Sequence, residues 1–386
     1  MLKNFLSKHN LSLFIFLFIN FIFSVKYLSR KTDLYLIISL LLVVIYFIIY
    51  KSRNKLIKYN NYLSKVNFGL IFIFCLLFYF VFQKINVESL NVDRWSVITS
   101  FWDNYFNDKY VYFARSSMNN LPGPMPFYYI LALPFYFLKE LGYFSILGII
   151  VFYLIMKYNK TLINIQTNSI LLILSSVFCL WEVACRSNIF LNASIILFVM
   201  VFYFNQKKLN YSKLFLIAIF IGLSLSTRNV LIIPFIITFT FALKSKKINL
   251  QQLFFMGTIA FIVFGLTFLP FVINHFEDFK IANPFITQSS VLMPFDLTLI
   301  FILLAFVFGF VCKNSNDAFF YSGLLLFLTI VGYFVYHFYH VGFYKTFFDS
   351  FSDISYFILC TPFFIFYLTF ETNSSLKNTI NQKYLK

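Results

Sequence analysis

Thirteen apolar runs divide the chain, at 10–28, 34–50, 67–83, 125–138, 142–157, 168–187, 189–204, 214–226, 229–243, 253–273, 297–312, 318–336 and 352–370. A helix that crosses a bilayer needs about 20 apolar residues, and roughly 15 to 17 suffice with interfacial residues at the ends. Backbone polar groups in hydrocarbon must be satisfied within the segment, which favours helices for runs this apolar. The pattern predicts an all-α polytopic membrane protein. Composition agrees: of 386 residues, 60% are hydrophobic and only 12% charged, too few to coat a water-soluble globule of this size. The first run has a basic start, but "FIFSVKYLSR" offers no small-x-small cleavage site, so a retained span is expected rather than a signal peptide.

The run at 125–138 is too short to cross comfortably, since as a helix it covers about 21 Å of a core roughly 30 Å thick. It also holds Pro126 and Pro134. Placed in the interface, it leaves about twelve spans (11–13), with both termini cytoplasmic. The loops "KSRNKLIK" (51–58), "KYNK" (157–160), "QKKLNYSK" (206–213) and "KSKK" (244–247) then share one side, as the positive-inside rule requires. This accounts for the net charge of +17 without nucleic acid as a partner. Every carboxylate except Asp317 and Glu371 falls on the extracytoplasmic side, so acid–base chemistry is expected there. The longest non-spanning segment, 84–141, reads as an extracytoplasmic loop with interfacial helices, and 371–386 as a basic cytoplasmic tail of an otherwise single transmembrane domain. The five cysteines show no CxxC spacing and read as small membrane-buried side chains.

Four polar groups stand out at the same face. "VDRWSVITSFWD" (92–103) carries Asp93, Arg94 and Asp103 in an amphipathic pattern, which fits an interfacial helix laying a carboxylate over a groove. "NLPGPMPF" (120–127) opens with Asn120, and its three prolines forbid a regular helix. "WEVACRSNIFLN" (181–192) places Glu182 and Arg186 four apart, on one face of the expected helix, with Asn188 beyond them. "STRNV" (226–230) interrupts an apolar stretch from Leu214 to Leu243 and is expected as a tight hairpin that delivers Arg228 and Asn229 to the outer leaflet. His337 and His340 are three apart, but without nearby carboxylates they read as interfacial residues and no metal site is expected.

The segment "DRWSVITSFWDNYFNDKYVYFARSSMNNLPGPMPFYYILALPF", with "WEVACRSNIF" and "STRNVLIIP" after it, resembles the mannosyltransferase-like bacterial members of the GT-C superfamily of membrane glycosyltransferases over residues 90–235. The resemblance implies transfer of a sugar, a mannose-like hexose or a pentose, from a polyprenyl-phosphate donor to a glycan, lipid or protein acceptor at the extracytoplasmic face of a bacterial inner membrane. It implies Asp93 as the base that takes the acceptor proton and Arg94, Arg186 and Arg228 as partners of the donor phosphate. Glu182 would orient Arg186, with Asn188, Asn229, Asp103 and Asn120 in support. The tight Asp-x-Asp of some relatives is missing; no cofactor is implied, and dependence on a divalent metal stays open. The rival expectations are a flippase or transporter of lipid-linked saccharides and an O-antigen ligase or polymerase. A transporter is expected to hold its charges near mid-membrane, and a ligase to carry Arg and His in a large late loop, whereas 337–351 is short and holds no Arg.

Overall fold

A computed structural model describes residues 7–291, 294–349 and 351–369, and the expected tail at 371–386 lies outside them. Among the described residues all regular structure is helical. In chain order the helices are α1 (Lys8–Leu28), α2 (Tyr35–Ser52), α3 (Asn60–Lys84), α4 (Arg94–Phe106), α5 (Pro126–Phe137), α6 (Gly142–Tyr158), α7 (Ile163–Ser175) and α8 (Val177–Ala184). There follow α9 (Ile189–Asn205), α10 (Tyr211–Leu225), α11 (Ile232–Lys244), α12 (Leu250–Leu266), α13 (Leu269–Val272), α14 (Phe276–Ile281) and α15 (Pro284–Val291). The last are α16 (Phe295–Val311), α17 (Ser315–Val341), α18 (Phe343–Phe347) and α19 (Ile354–Thr369), which begins as a 3-10 helix.

Among the described residues five helices are long and apolar enough to cross a membrane, or up to seven if each of two bent pairs is one span. The five are α1, α2, the helix Lys55–Lys84 that contains α3, the helix Leu250–Val272 that contains α12 and α13, and α17. The bent pairs are α5 with α6, at 118°, and α7 with α8, at 60°. Shorter apolar helices are α9, α10, Asn229–Lys244, Asp296–Val311 and α19.

Burial sorts these helices into a centre and a rim. Helix α9 is apolar on every side and buried nearly all round, which is where such a helix belongs. It packs on α6, α10 and α19. Gly148 of α6 lets it come close, since a Cβ there would lie 2.9 Å from the Leu191 backbone nitrogen. The rim helices expose large apolar side chains, such as Ile37 and Leu41 on α2, Phe68 and Phe72 on α3, Phe254 and Phe261 on α12, and Phe306 and Phe310 on α16. Contiguous apolar surface of this extent fits contact with lipid.

Two sequence expectations change. The run 168–187 is not one helix: α7 starts at Ile163, and the chain breaks at Ser176 before α8. The break is stitched from outside, because Asn20 Oδ1 accepts the Val177 N–H at 3.0 Å and Tyr46 donates to the Ser175 carbonyl at 3.0 Å. Irregular backbone in an apolar bundle survives where protein supplies such partners. The stretch Leu214–Leu243 is divided as expected, but not as a tight hairpin. Helix α10 packs along α12 while α11 packs along α16, so the two diverge from the turn at 226–231.

The polar ends separate cleanly. At one end lie the Lys-rich loops, joined by the Lys8–Asp317 pair, the His9–Tyr50 hydrogen bond, Asn164 on the Arg53 carbonyl, and Lys247 on the Tyr203 and Phe204 carbonyls. At the other end, segment 84–141 folds as an ordered cap with its own aromatic core. Phe101 of α4 stacks on Tyr129 of α5 at 3.6 Å, and Trp102 donates to the Tyr129 carbonyl at 3.2 Å. Phe271 and Ala282 complete that core from α13 and the end of α14.

Asn20→Leu is expected to lower stability by about 1–3 kcal/mol, because it strands the Val177 N–H inside the bundle. Tyr46→Phe should cost less, about 1 kcal/mol, since a carbonyl tolerates a lost donor better. Thermal unfolding of the detergent-solubilised protein ranks the two, and an Asn20→Leu protein as stable as wild type would mean the break is held some other way.

Candidate functional site

The cap, α8, the 226–231 turn and the segment before α19 bring most of the charged residues singled out in the sequence to one end of the bundle. Asp93 immediately precedes α4, but its carboxylate does not cap the helix. Oδ2 instead accepts from Ser116 Oγ at 2.7 Å and from Asn120 Nδ2 at 2.8 Å. The turn at 116–120 is fixed by the Asn119 N–H on the Ser116 carbonyl and the Asn120 N–H on Ser116 Oγ, with Asn119 at φ +63°. Asn120 and Ser116 thus hold one oxygen of Asp93. Among the described residues Oδ1 takes no hydrogen bond, so one oxygen is anchored by neutral donors and the other is open.

Arg94 is engaged by a residue 259 positions away, a pairing that no local spacing signals. It forms an ion pair with Asp353, donates to Ser355 Oγ at 3.0 Å, and lies 5.3 Å from the Tyr356 ring. Asp353 Oδ1 accepts the Ser355 N–H at 2.8 Å. Burial pushes the Asp353 carboxyl up, but the guanidinium and the Ser355 donors outweigh it and hold it below the usual carboxylate range. The pair clamps the start of α4 to the start of α19.

Arg186 corrects a sequence expectation. Helix α8 ends at Ala184, so Glu182 and Arg186 do not share a helix face. The Arg186 N–H bonds the Val183 carbonyl and the Ser187 N–H the Glu182 carbonyl, with Arg186 at φ +53°: this is a Schellman C-cap built on an arginine. Its guanidinium turns to Glu140, with Nε at 3.2 Å from Oε1 and Nη2 at 3.3 Å from Oε2. It also donates to the Ala184 and Ile85 carbonyls and lies over Phe82 at 4.7 Å. With a side chain only 1% exposed and its donors spoken for, it braces the cap against α8. Glu182 does not orient it; Glu182 Oε1 accepts the Phe190 N–H at 2.8 Å, in the first turn of α9.

Arg228 differs from both. It sits in the turn between α10 and α11, half-buried, and among the described residues no carboxylate pairs with it. Its Nε is buried without a hydrogen-bond partner, and its Cζ lies 5.9 Å from the Tyr128 ring. The turn holds the proline segment: the Met125 N–H bonds the Thr227 carbonyl, the Tyr128 N–H the Ser226 carbonyl, and the Phe127 N–H Ser226 Oγ. Pro122, Pro124 and Pro126 lack N–H groups, so this docking uses donors the prolines leave available.

Tyr128 and Tyr129 lie within electrostatic reach of these charges. Arg228 and Arg94 act on Tyr128, while Arg228 and Asp93 act on Tyr129; both cations also bear on Glu182. Asn188 lies against Tyr128, while Tyr129 Oη, Tyr112 Oη and, on α9, both polar atoms of Asn192 are buried without hydrogen-bond partners. Buried orphans are uncommon, and several together suit a place for water or a polar ligand. Beside Arg228 opens an apolar groove of about 380 Å³, running from Met125, Asn229 and Phe285 at one end down past Phe264, Ala260 and Phe235. Asn229 thus meets the groove. Asp103 faces away, accepting from Tyr136 Oη at 2.7 Å, and secures α4 on α5.

Glu140→Ala is expected to destabilise by about 3–5 kcal/mol, because it leaves the Arg186 guanidinium buried and uncompensated. The double variant with Arg186→Met should recover much of the loss. Unfolding curves of the single and double variants decide it, and losses that simply add would show that the two residues are not coupled. In comparison with known proteins, no family model, no curated protein and no solved structure matches this chain.

Proposed function

We propose that the chain is an integral membrane glycosyltransferase of GT-C type that moves a sugar from a polyprenyl-phosphate donor to an acceptor at the extracytoplasmic face. The observation that carries the reading is Arg228, a half-buried guanidinium without a carboxylate partner among the described residues, whose neighbour Asn229 lines an apolar groove, with Asp93 and its open oxygen acting on the same Tyr129 that Arg228 acts on. A phosphodiester on a long isoprenoid chain has the matching parts: one negative charge for Arg228 and an apolar tail for the groove.

In this reading the acceptor hydroxyl gives its proton to Asp93 Oδ1 as its oxygen bonds to the anomeric carbon. The bond from that carbon to the phosphate oxygen breaks, and its electron pair leaves with the polyprenyl phosphate, whose added charge Arg228 stabilises. Arg94 and Arg186, expected as phosphate partners, are held by Asp353 and Glu140, so Arg228 carries that role and the other two keep the cap in place. Asn188 and Tyr129 offer hydrogen bonds to hydroxyls of the bound sugar.

The topology belongs to the same proposal. The five long helices, the two bent pairs and the five shorter apolar helices make twelve crossings of a bacterial inner membrane, with α5 lying in the extracytoplasmic interface and both termini in the cytoplasm. The gathering of the Lys-rich loops at one end and of Asp93, Glu140 and Asp353 at the other supports that orientation. Cysteines placed one at a time should be labelled from outside intact cells at Asn119 and Lys280 but not at Lys207 or Lys246. Labelling of position 246 from outside would reverse the orientation.

Asp93→Asn keeps the size of the side chain but cannot take a proton. In proteoliposomes given a panel of radiolabelled polyprenyl-phosphate hexoses and pentoses, it should cut turnover about a hundred- to ten-thousand-fold with little change in thermal stability. Arg228→Ala should weaken donor binding as well as turnover, since the phosphate is charged in ground and transition states alike. Near wild-type turnover in Asp93→Asn would remove it as the base and return its cluster to an interfacial helix with an ion pair.

A further inference from the structure

Lys26 lies in the last turn of α1, inside an apolar run, and the reaction proposed above does not use it. It is 1% exposed, yet among the described residues no hydrogen bond or ion pair engages its ammonium group, whose close neighbour is the Phe347 ring at 5.6 Å. A buried ammonium without partners is costly, and in membrane proteins such groups mark binding sites or ion paths. The charges that act on it are Asp353, attractive, and Arg30, repulsive. Asp353 is already paired with Arg94 and bonded to Ser355. Arg94 neutralises Asp353, so the charge of Lys26 is not matched by a carboxylate of its own among the described residues, and Arg30 lies near it.

We infer that Lys26, with Arg30 at its rim, forms a second anion site, separate from Arg228 and beside the Arg94–Asp353 pair, that takes the phosphate monoester headgroup of a lipid. The charge matches, since a phosphate monoester carries up to two negative charges near neutral pH. The lipid character comes from the surface beside it. Phe347, over Lys26, stacks on Phe343 at 5.8 Å, and Phe343 is 58% exposed on α18 next to exposed Tyr344. A headgroup that reaches Lys26 along this aromatic face leaves its acyl or isoprenoid chains against α18. Arg30 donates to the Phe348 carbonyl at 3.0 Å, which ties the rim of the site to the end of the same element. The site goes beyond the sugar-transfer reading and does not depend on it: its ligand is defined by charge and amphiphilicity alone.

The test follows thermal unfolding of the full chain in neutral detergent with dioctanoyl phosphatidic acid, dioctanoyl phosphatidylcholine or inorganic phosphate at equal concentration. Phosphatidic acid should raise the unfolding temperature of wild type and of Arg228→Ala by several degrees, and the other two probes should not. Lys26→Met should abolish the shift, and Lys26→Arg should keep it. Without ligand, Lys26→Met should be at least as stable as wild type, since an apolar side chain replaces a buried charge that makes no hydrogen bond. A Lys26→Met protein that unfolds early or fails to fold would make Lys26 structural. Loss of the shift in Arg228→Ala would move the anion to the other site, and an equal shift with inorganic phosphate would remove the lipid. Equal shifts with both lipids, a shift retained in Lys26→Met or lost in Lys26→Arg, or none in wild type would each overturn the site.

Discussion

Charge without water is the constraint on which the site end of this molecule depends. An arginine buried among apolar helices is tolerated when a carboxylate and further acceptors surround it, and removal of one partner costs far more than the pair contributes. Arg186 meets this condition through Glu140 and two carbonyls, and Arg94 through Asp353 and Ser355. These two pairs hold the cap to α8 and to the start of α19, so the aromatic core under α4 and α5 has a fixed position over the bundle. Arg228 is placed by backbone bonds of its neighbours rather than by a counter-ion among the described residues, and in the proposed reading its charge is left for the donor phosphate. Electrostatic preorganisation of this kind needs a rigid surround, which the two satisfied pairs supply.

The same accounting applies to the backbone. Each departure from helix in the bundle interior is matched by a side chain from another element: Asn20 and Tyr46 at the break after Ser175, Glu182 at the start of α9, and Ser226 beneath the proline segment. Ser12, Ser24, Thr238 and Thr329 return their hydroxyls to carbonyls four residues back in their own helices and so cost little in apolar surroundings. Buried polar atoms without partners also occur elsewhere, as at Asn67 and Gln166, but those of Tyr129 and Arg228 belong to residues that act on one another.

Much of the helical framework was legible in the sequence, because apolar runs and their Lys-rich separators follow from the bilayer and need no partner to be recognised. The amphipathic helix from Arg94 was legible for a similar reason, as its pattern falls within one short segment, whereas the contact between Asp93 and Asn120, 27 residues apart, was not. What could not be read was pairing across the fold. Glu140 lies 46 residues from Arg186 and Asp353 lies 259 from Arg94, and no local spacing signals either. The apparent pairing of Glu182 with Arg186 failed because an i, i+4 rule holds only inside a helix, and α8 stops at Ala184. Lys26 passed unremarked because a single lysine at the end of an apolar run looks like an ordinary interfacial residue; its burial depends on α18 folding over it.

The distribution of partners also bears on how two substrates could be kept apart. Phosphate groups compete for any free cation, and a site with all its arginines in one cavity would bind either ligand in either place. Here Asp353 draws Arg94 and the charge of Lys26 toward α1 and α18, while Arg228 faces Tyr128 and the groove between α10, α11 and α12. Tyr129 feels both Asp93 and Arg228, and in the proposed reading Tyr128 and Tyr129 shape the approach of a sugar without adding a charge that either phosphate would seek. Specificity would then come from which cation each headgroup can reach along its own apolar face, a separation set by helix packing.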